Sequence, residues 1–214
     1  SSKSALLSFL EAEKKDFLDL YDHDKRKPDF MIMGFTGNKT RHGMSADGKP
    51  FVIGSTTKSV LRAVHIPIIL VKKDIPDDTK RRVFVVLVSP NPHSQQCLDL
   101  VLCLARPKDK LLCVYVGTRA AGQEKVQEIL QAQYEAELNS VGPVDSSFVV
   151  LTKEGEQNAQ YVITDYINFK LEEQPDFVAL APREHLSDTK EVQFSSLTDH
   201  LVENARANII ICKH

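Results

Sequence analysis

Glycine and hydroxyl residues give this chain its one pattern suited to holding an anion. Gly34 and Gly37 sit at the end of an apolar run, "DFMIMGFTG", and Gly54, Ser55 and Thr56 open a later segment, "IGSTTKSVLRAVHIP". Glycine lets backbone approach a ligand closely and takes φ values that other residues resist. A helix beginning at Gly54-Ser55 offers unpaired N–H groups and the positive end of its dipole, which suits a phosphate. Lys39, Arg41 and Lys58 stand nearby in sequence as further positive charge. The same residues also have a plainer use, with Gly34 and Gly37 shaping a strand-end turn and Ser55 capping a helix. Both uses stay open.

Other candidate chemistry is thinner. The stretch "GMSADGKP" (Gly43 to Pro50) satisfies Gly-x-x-x-x-Gly-Lys through Lys49. Pro50 then stands where a P-loop needs Ser or Thr for Mg²⁺, and no strand directly precedes the stretch. The seven histidines show no i, i+4 pairing and none lies at ligand spacing with a cysteine, so no metal site is expected. No nucleophile elbow or kinase signature occurs, and no catalysis is expected. Cys97, Cys103, Cys113 and Cys212 lie in apolar runs without Cys-x-x-Cys spacing, Cys97 on one helical face with Leu100, Val101 and Leu104. They are expected to be buried free thiols of a reducing compartment, with the cytoplasm as location.

Composition narrows the class. A formal net charge of -2, with 42% hydrophobic and 26% charged residues, is an ordinary globular balance and makes no electrostatic case for nucleic acid or a membrane surface. No apolar run approaches the ~18 residues of a membrane span, and the first residues lack a signal peptide's apolar core. The clusters Lys25-Arg26-Lys27 and Lys80-Arg81-Arg82 precede strand candidates and are expected to be solvated strand entrances.

The elements that would position the glycines alternate along the chain. Residues 4–21 place Leu6, Leu10, Phe17 and Tyr21 on one helical face, and Pro28 stops it. "DFMIM" is a continuous apolar run, the mark of a parallel strand buried on both faces. A polar loop spans 38–53, a helix about 55–65 turns Val60, Leu61 and Val64 inward, and "IPIILV" (66–71) is a strand. Residues 72–82 are charged, contain Pro76 and read as a linker. The pattern then restarts, with strands at 83–88, 111–116, 147–151, 176–180 and 208–212. Helices alternate with them at 93–106, 121–140, 157–171 (Val162, Ile163, Tyr166 and Phe169 inward) and 195–206 (Leu197, Leu201, Val202 and Ala205 inward). Five strands and four helices in alternation predict a doubly wound, Rossmann-like α/β domain.

The two parts repeat each other. "KPDFMIMG…GSTTKSVLRAVHIPIILVK" matches "QPDFVALA…SSLTDHLVENARANIIICK", with Val60, Leu61, Val64 and Ile68 falling on Leu201, Val202, Ala205 and Ile209. Residues 1–73 therefore form the C-terminal half of a first domain, 74–82 a linker, and 83–214 a complete second domain. Half a parallel sheet leaves an unpaired edge, so the chain, which does not begin with Met, is expected to be completed by an upstream segment.

These residues resemble the universal stress proteins. That family has a strand ending in Met-Gly, then Gly-x-x-Gly, a loop, Gly-Ser opening a helix, and a Pro-led final strand. Here the pieces are Met33-Gly34, Gly37, Gly54-Ser55 and Pro67. The segment between Gly37 and Gly54 is longer than in the family. The resemblance implies an adenine nucleotide alpha hydrolase-like parallel sheet and a place for ATP or a related nucleotide at Gly34, Gly37, Gly54, Ser55 and Thr56, in the first copy only. In the second copy Ser89 stands where the family has its adenine-side Asp. Ala181, Glu184 and Ser195-Ser196 replace the glycine motif there, and a carboxylate at Glu184 would repel phosphate.

The function expected is a non-catalytic interaction or scaffold component of a larger protein or assembly. The alternative is an ATP- or AMP-binding regulatory module using the first copy. Family resemblance also implies final strands paired antiparallel across a two-fold axis. An intramolecular pseudo-dimer is expected, with residues 67–71 against 208–212, because neither strand carries an internal charge or proline to blunt its edge.

Overall fold

The computed structural model describes residues 30–35, 53–118, 123–141, 145–182, 185–186, 192–193 and 195–213. The helix expected at 4–21, the cluster at 25–27, Gly37, Lys39, Arg41, Glu184 and the stretch from Gly43 to Pro50 lie outside them.

The apolar runs are strands, those at the middle of the sheet covered on both faces. Met31–Gly34, at a sheet edge, leaves Ile32 60% exposed, so the run "DFMIM" is not buried on both faces as expected. In chain order these are β1 (Met31–Gly34), β2 (Ile68–Val71), β3 (Val83–Val88), β4 (Lys110–Thr118), β5 (Asp145–Lys153), β6 (Phe177–Leu180) and β9 (Asn208–Ile211). They form one sheet in the order β1-β2-β9-β6-β3-β4-β5. Helices α1 (Ser55–Ala63), α2 (Pro92–Leu104), α3 (Gln123–Val141), α4 (Ala159–Asp165) and α5 (Ser196–Asn204) cover it. On one face Val85, Leu87, Val114, Val178, Ile209 and Ile68 pack under α1, α4 and α5 through Val60, Leu61, Ile163 and Leu201. On the other, Phe84, Val86, Cys113, Ala179 and Ile210 pack under α2 and α3 through Cys97, Leu98, Leu130 and Tyr134. Alternate residues of the central strands serve the two layers, so no polar position interrupts Val83–Val88 or Phe177–Leu180.

Two departures from the expected elements have local causes. The helix expected at 157–171 changes at Tyr166 into a π-helical turn over Tyr166–Lys170. The wider turn moves Phe169 out of register with Ile163, leaving it 63% exposed against the Arg206 guanidinium at 4.6 Å instead of inward. Buried Asn168 holds the turn: its Nδ2 donates to Asn204 O at 3.0 Å and its Oδ1 accepts from Arg206 N at 3.0 Å. A two-stranded antiparallel ribbon, β7 (His185–Leu186) with β8 (Val192–Gln193), also stands where only loop was expected.

The basic residues before β3 are not all solvated. Arg82 donates to Asp109 from Nε at 3.0 Å and Nη2 at 2.7 Å, and Asp109 is fully buried. Arg106 joins them and reaches Asp78 O at 2.7 Å and Lys80 O at 2.8 Å, pinning the linker to the sheet. Burial alone would raise the Asp109 carboxyl, but hydrogen bonds from Arg106 and Arg82 outweigh it and hold it well below the usual carboxylate range. Exposed Cys103 is a second correction, since only Cys97, Cys113 and Cys212 are buried.

Within the seven-stranded sheet all neighbouring strands are parallel except at one seam. β2 runs antiparallel to β9, with Ile68, Ile69 and Leu70 opposite Ile211, Ile210 and Ile209. The seam is flanked by like registers: Met31 opposes Ile68 as Val178 opposes Ile209. Across it the two sides exchange lysines. Lys72 Nζ, just past β2, donates to Ala205 O at 2.8 Å, beyond the last turn of α5. Buried Lys213, just past β9, donates to Leu61 O and, at 2.7 Å, to Val64 O at the end of α1. Each ammonium thus meets the negative end of the other side's helix. Asn208 adds a one-sided tie, its Oδ1 accepting from Lys72 N at 2.8 Å and Lys73 N at 3.0 Å. The corresponding Pro67 has no such group.

Two measurements test the seam. Ile210, with no exposure, faces Ile69, whereas Ile32 on β1 is 60% exposed. Ile210→Lys is expected to cost about 3 kcal/mol or more in urea unfolding, and Ile32→Lys no more than about 0.5. Burial lowers the Lys72 ammonium from 10.5 to about 7, against the upward pull of Glu203. Between those values the unfolded chain holds a proton that the folded chain lacks, so stability contributed at Lys72 rises with pH from about 7 towards 10.5. Comparing the unfolding free energy of the parent with Lys72→Met across that window is expected to show the parent gaining on the variant.

Candidate functional site

The glycines meet where β1 ends and α1 begins. Gly34 closes β1 opposite Val71, and buried Phe35 follows, its N–H donating to Val71 O at 2.9 Å. Phe35 O accepts from Gly54 N at 3.2 Å, and Thr57 Oγ1 donates to Gly34 O at 3.1 Å. These two bonds clamp the strand end onto the helix start, so Gly34 and Gly54 are brought together. Gly54 is the N-cap, at φ -61° and ψ 141°, and no side chain caps the helix. Ser55 is the first helical residue, and Thr56 is half-buried in the first turn. The Gly54 N–H is already committed to Phe35, which leaves the first-turn amides as the donors this end can offer an anion. Gly37 lies outside the described residues.

Cations are less well placed than the sequence suggested. Lys58 is exposed, and with Arg62 it borders a recess between α1 and α5 that also touches Asp199 and Glu203. That recess holds about 10 Å³, room for one water at most. Burial raises the Asp199 carboxyl against the opposing pull of Arg62 and Lys58.

The corresponding end of the second half is occupied by its own side chains. Ser195, in the place of Gly54, accepts from Thr198 N at 3.4 Å and so caps α5. Ser89, after β3, donates its N–H to Ser94 Oγ at 3.1 Å, and the two hydroxyls lie 3.0 Å apart. Asn91 caps α2 by accepting from His93 N at 3.0 Å, ahead of Pro92 in the first turn. Ala181 is half-buried past β6.

A cleft that no sequence pattern marks lies beside this end. It encloses about 350 Å³ between the Ser89–Gln95 turn and the Val126–Tyr134 face of α3. Pro90, Pro92, Ile129 and Tyr134 make it largely apolar, and among the described residues no charged side chain lines it. It arises where two helix starts diverge, a packing outcome that no local spacing records. Among the described residues no group of acids, histidines and cysteines is arranged for a metal, and no helix is long and apolar enough to cross a membrane.

No protein-family model and no curated protein matches the sequence. Solved structures match the fold. A universal stress protein from Archaeoglobus fulgidus superposes with a TM-score of 0.61 at 13% identity, over 86% of this chain and 62% of that one. The universal stress protein UspA from Lactobacillus plantarum superposes with a TM-score of 0.51 at 16% identity, over 63% of this chain and 99% of that one. This chain thus spans less than two thirds of the Archaeoglobus chain. The chain has the universal stress protein fold, a doubly wound, Rossmann-like sheet.

The contrast between the two helix starts is testable. Ser195→Ala removes a cap and is expected to lower stability by about 0.5–1 kcal/mol in urea unfolding. Gly54→Ser supplies the acceptor that the α1 N-cap lacks and is expected to raise stability by a few tenths of a kcal/mol.

Proposed function

We propose that this chain is a non-catalytic tandem module of universal stress protein fold, acting in the cytoplasm as an interaction or scaffold component of a larger protein or assembly. One observation carries the reading: in the second half, the end of the sheet where such folds take ligands is closed by the protein's own hydrogen bonds, with Ser195 on Thr198 and Ser89 on Ser94. The Thr198 and Ser89 amides, which could face a nucleotide there, are already engaged. Two further facts support a tandem arrangement, residues 1–73 and 83–214 joined by 74–82. Matched registers and exchanged lysines flank the β2–β9 seam. The Lactobacillus chain aligns almost whole with 63% of this one, whereas the Archaeoglobus alignment extends over 86%. In this reading the seam is an intramolecular pseudo-dimer.

A second reading has its own observation. α1 keeps a glycine N-cap without a side-chain cap, beside Gly34, which is the arrangement that binds phosphate in other folds. A nucleotide such as ATP or AMP would therefore bind the first copy, at Gly34, Gly37, Gly54, Ser55 and Thr56. The chain would then serve as a regulatory module.

Titration with labelled ATP separates the two. The scaffold reading expects no saturable binding and no Mg²⁺-dependent turnover above background. The regulatory reading expects one site per chain, abolished by Gly54→Asp. That variant's carboxylate caps the helix and repels phosphate, and the backbone angles at Gly54 suit any residue. Two sites per chain, or hydrolysis lost in Lys49→Ala, would overturn both readings.

A further inference from the structure

Three thiols lie in the layer under α2: Cys97 on α2, Cys113 on β4 and Cys212 directly after β9, with relative exposures of 0%, 0% and 1%. Cys97 and Cys212, 115 residues apart in sequence, have their Sγ atoms 3.0 Å apart. We propose that Cys97 and Cys212 form an oxidative modification site, which a peroxide converts into an intramolecular disulfide stapling α2 to the end of β9.

The geometry asks for little movement. A disulfide bond is ~2.05 Å long, so the sulfurs must close by about 1 Å. Both residues are held by ordered backbone. α2 starts at the Asn91 cap and Pro92, and Cys212 N donates to Leu180 O at 2.9 Å. Cys113 is a poorer partner, since it is on β4, on the far side of β6 and β3 from β9. Exposed Cys103 stands away from the buried cluster.

The chemistry balances with a peroxide as oxidant. One thiol loses its proton and attacks a peroxide oxygen, forming a sulfenic acid and releasing water or an alcohol. The second thiol then loses its proton as its sulfur attacks the sulfenic sulfur and expels water. The two sulfurs lose two electrons and the peroxide gains them. Burial, with Cys212 adding to it, keeps Cys97 as the protonated thiol, so the reaction is slow and registers sustained oxidant exposure rather than a brief pulse.

The staple would act on the seam. Cys212 immediately precedes Lys213, whose ammonium holds the carbonyls of Leu61 and Val64. Fixing Cys212 to α2 therefore fixes the lysine that binds the first half. Val71 occupies the matching place after Leu70, so the staple belongs to the second half alone.

The test exposes the native full chain to hydrogen peroxide, alkylates the remaining thiols and maps peptides without reduction. The expected product has lost the mass of two hydrogens and contains a single Cys97–Cys212 linked peptide. Its melting temperature rises by ~5 °C or more, and dithiothreitol reverses the change. Cys113→Ser is expected to keep the link, while Cys97→Ser and Cys212→Ser lose it. The wild-type map stands by itself if a variant fails to fold, with exposed Cys103 gauging oxidation. Recovery of alkylated Cys97 and Cys212 after sustained exposure, continued well beyond the point at which Cys103 is fully oxidised and followed by alkylation in denaturant, or a link from either to Cys113, would overturn the proposal.

Discussion

β2 and β9 are short strands with no charge or proline inside them, and each would be a sheet edge if its half stood alone. Such an edge presents unpaired N–H and C=O groups along an apolar surface and recruits another strand. Pairing them with each other removes both edges and makes one sheet from β1 to β5. The remaining features depend on that choice. An antiparallel seam between otherwise parallel strands sets the two sides head to tail, so that α1 and α5 lie side by side on one face. Each helix then ends beside the residue that follows the other side's last strand, and a lysine there meets carbonyls that would otherwise lack donors.

That arrangement makes the lysines more than surface charges. Lys213 is buried, and Lys72 lies over the Phe35 ring at 4.7 Å while holding Ala205 O. An ammonium in such a place is costly unless carbonyls and a ring face replace its water. The carbonyls come from the opposite side in each case, while the ring face beneath Lys72 belongs to its own side. Each half thus lends carbonyls to the other's lysine, and so the halves are specified for each other rather than for any strand that offers a free edge.

Much of this was legible because parallel strands covered on both faces read as unbroken apolar runs, as in Val83–Val88 and Phe177–Leu180. The helices followed from their inward faces, as at Val60, Leu61 and Val64. The glycine pattern correctly brought Gly34 and Gly54 together, but the hydroxyl that clamps them, Thr57 Oγ1, was passed over beside Ser55 and Thr56. Features that depend on partners distant in sequence were not legible. Arg82 looked solvated because its carboxylate, Asp109, belongs to the turn before β4. Phe169 looked inward because a 3.6-residue period carries no sign of a π turn, which Asn168 holds through atoms of Asn204 and Arg206. Cys97 and Cys212 were each assigned to the core, yet nothing in either segment announces that their sulfurs touch.

The two helix starts show how one architecture can be spent differently in its two halves. α1 and α5 occupy equivalent places, and each has first-turn amides in need of acceptors. At α5 a serine supplies the acceptor from within, which stabilises the helix and lowers its call for an external anion. At α1 glycine supplies none, and the helix forgoes that stabilisation. A glycine N-cap alone is nearly neutral for stability, so stability does not select it over serine. Beside Gly34 and clamped by Thr57, the α1 start has no side-chain acceptor among the described residues, whereas at α5 Ser195 supplies one. The strands that flank the seam stay matched in register, Met31 to Ile68 as Val178 to Ile209, although the Asn208 tie has no counterpart at Pro67.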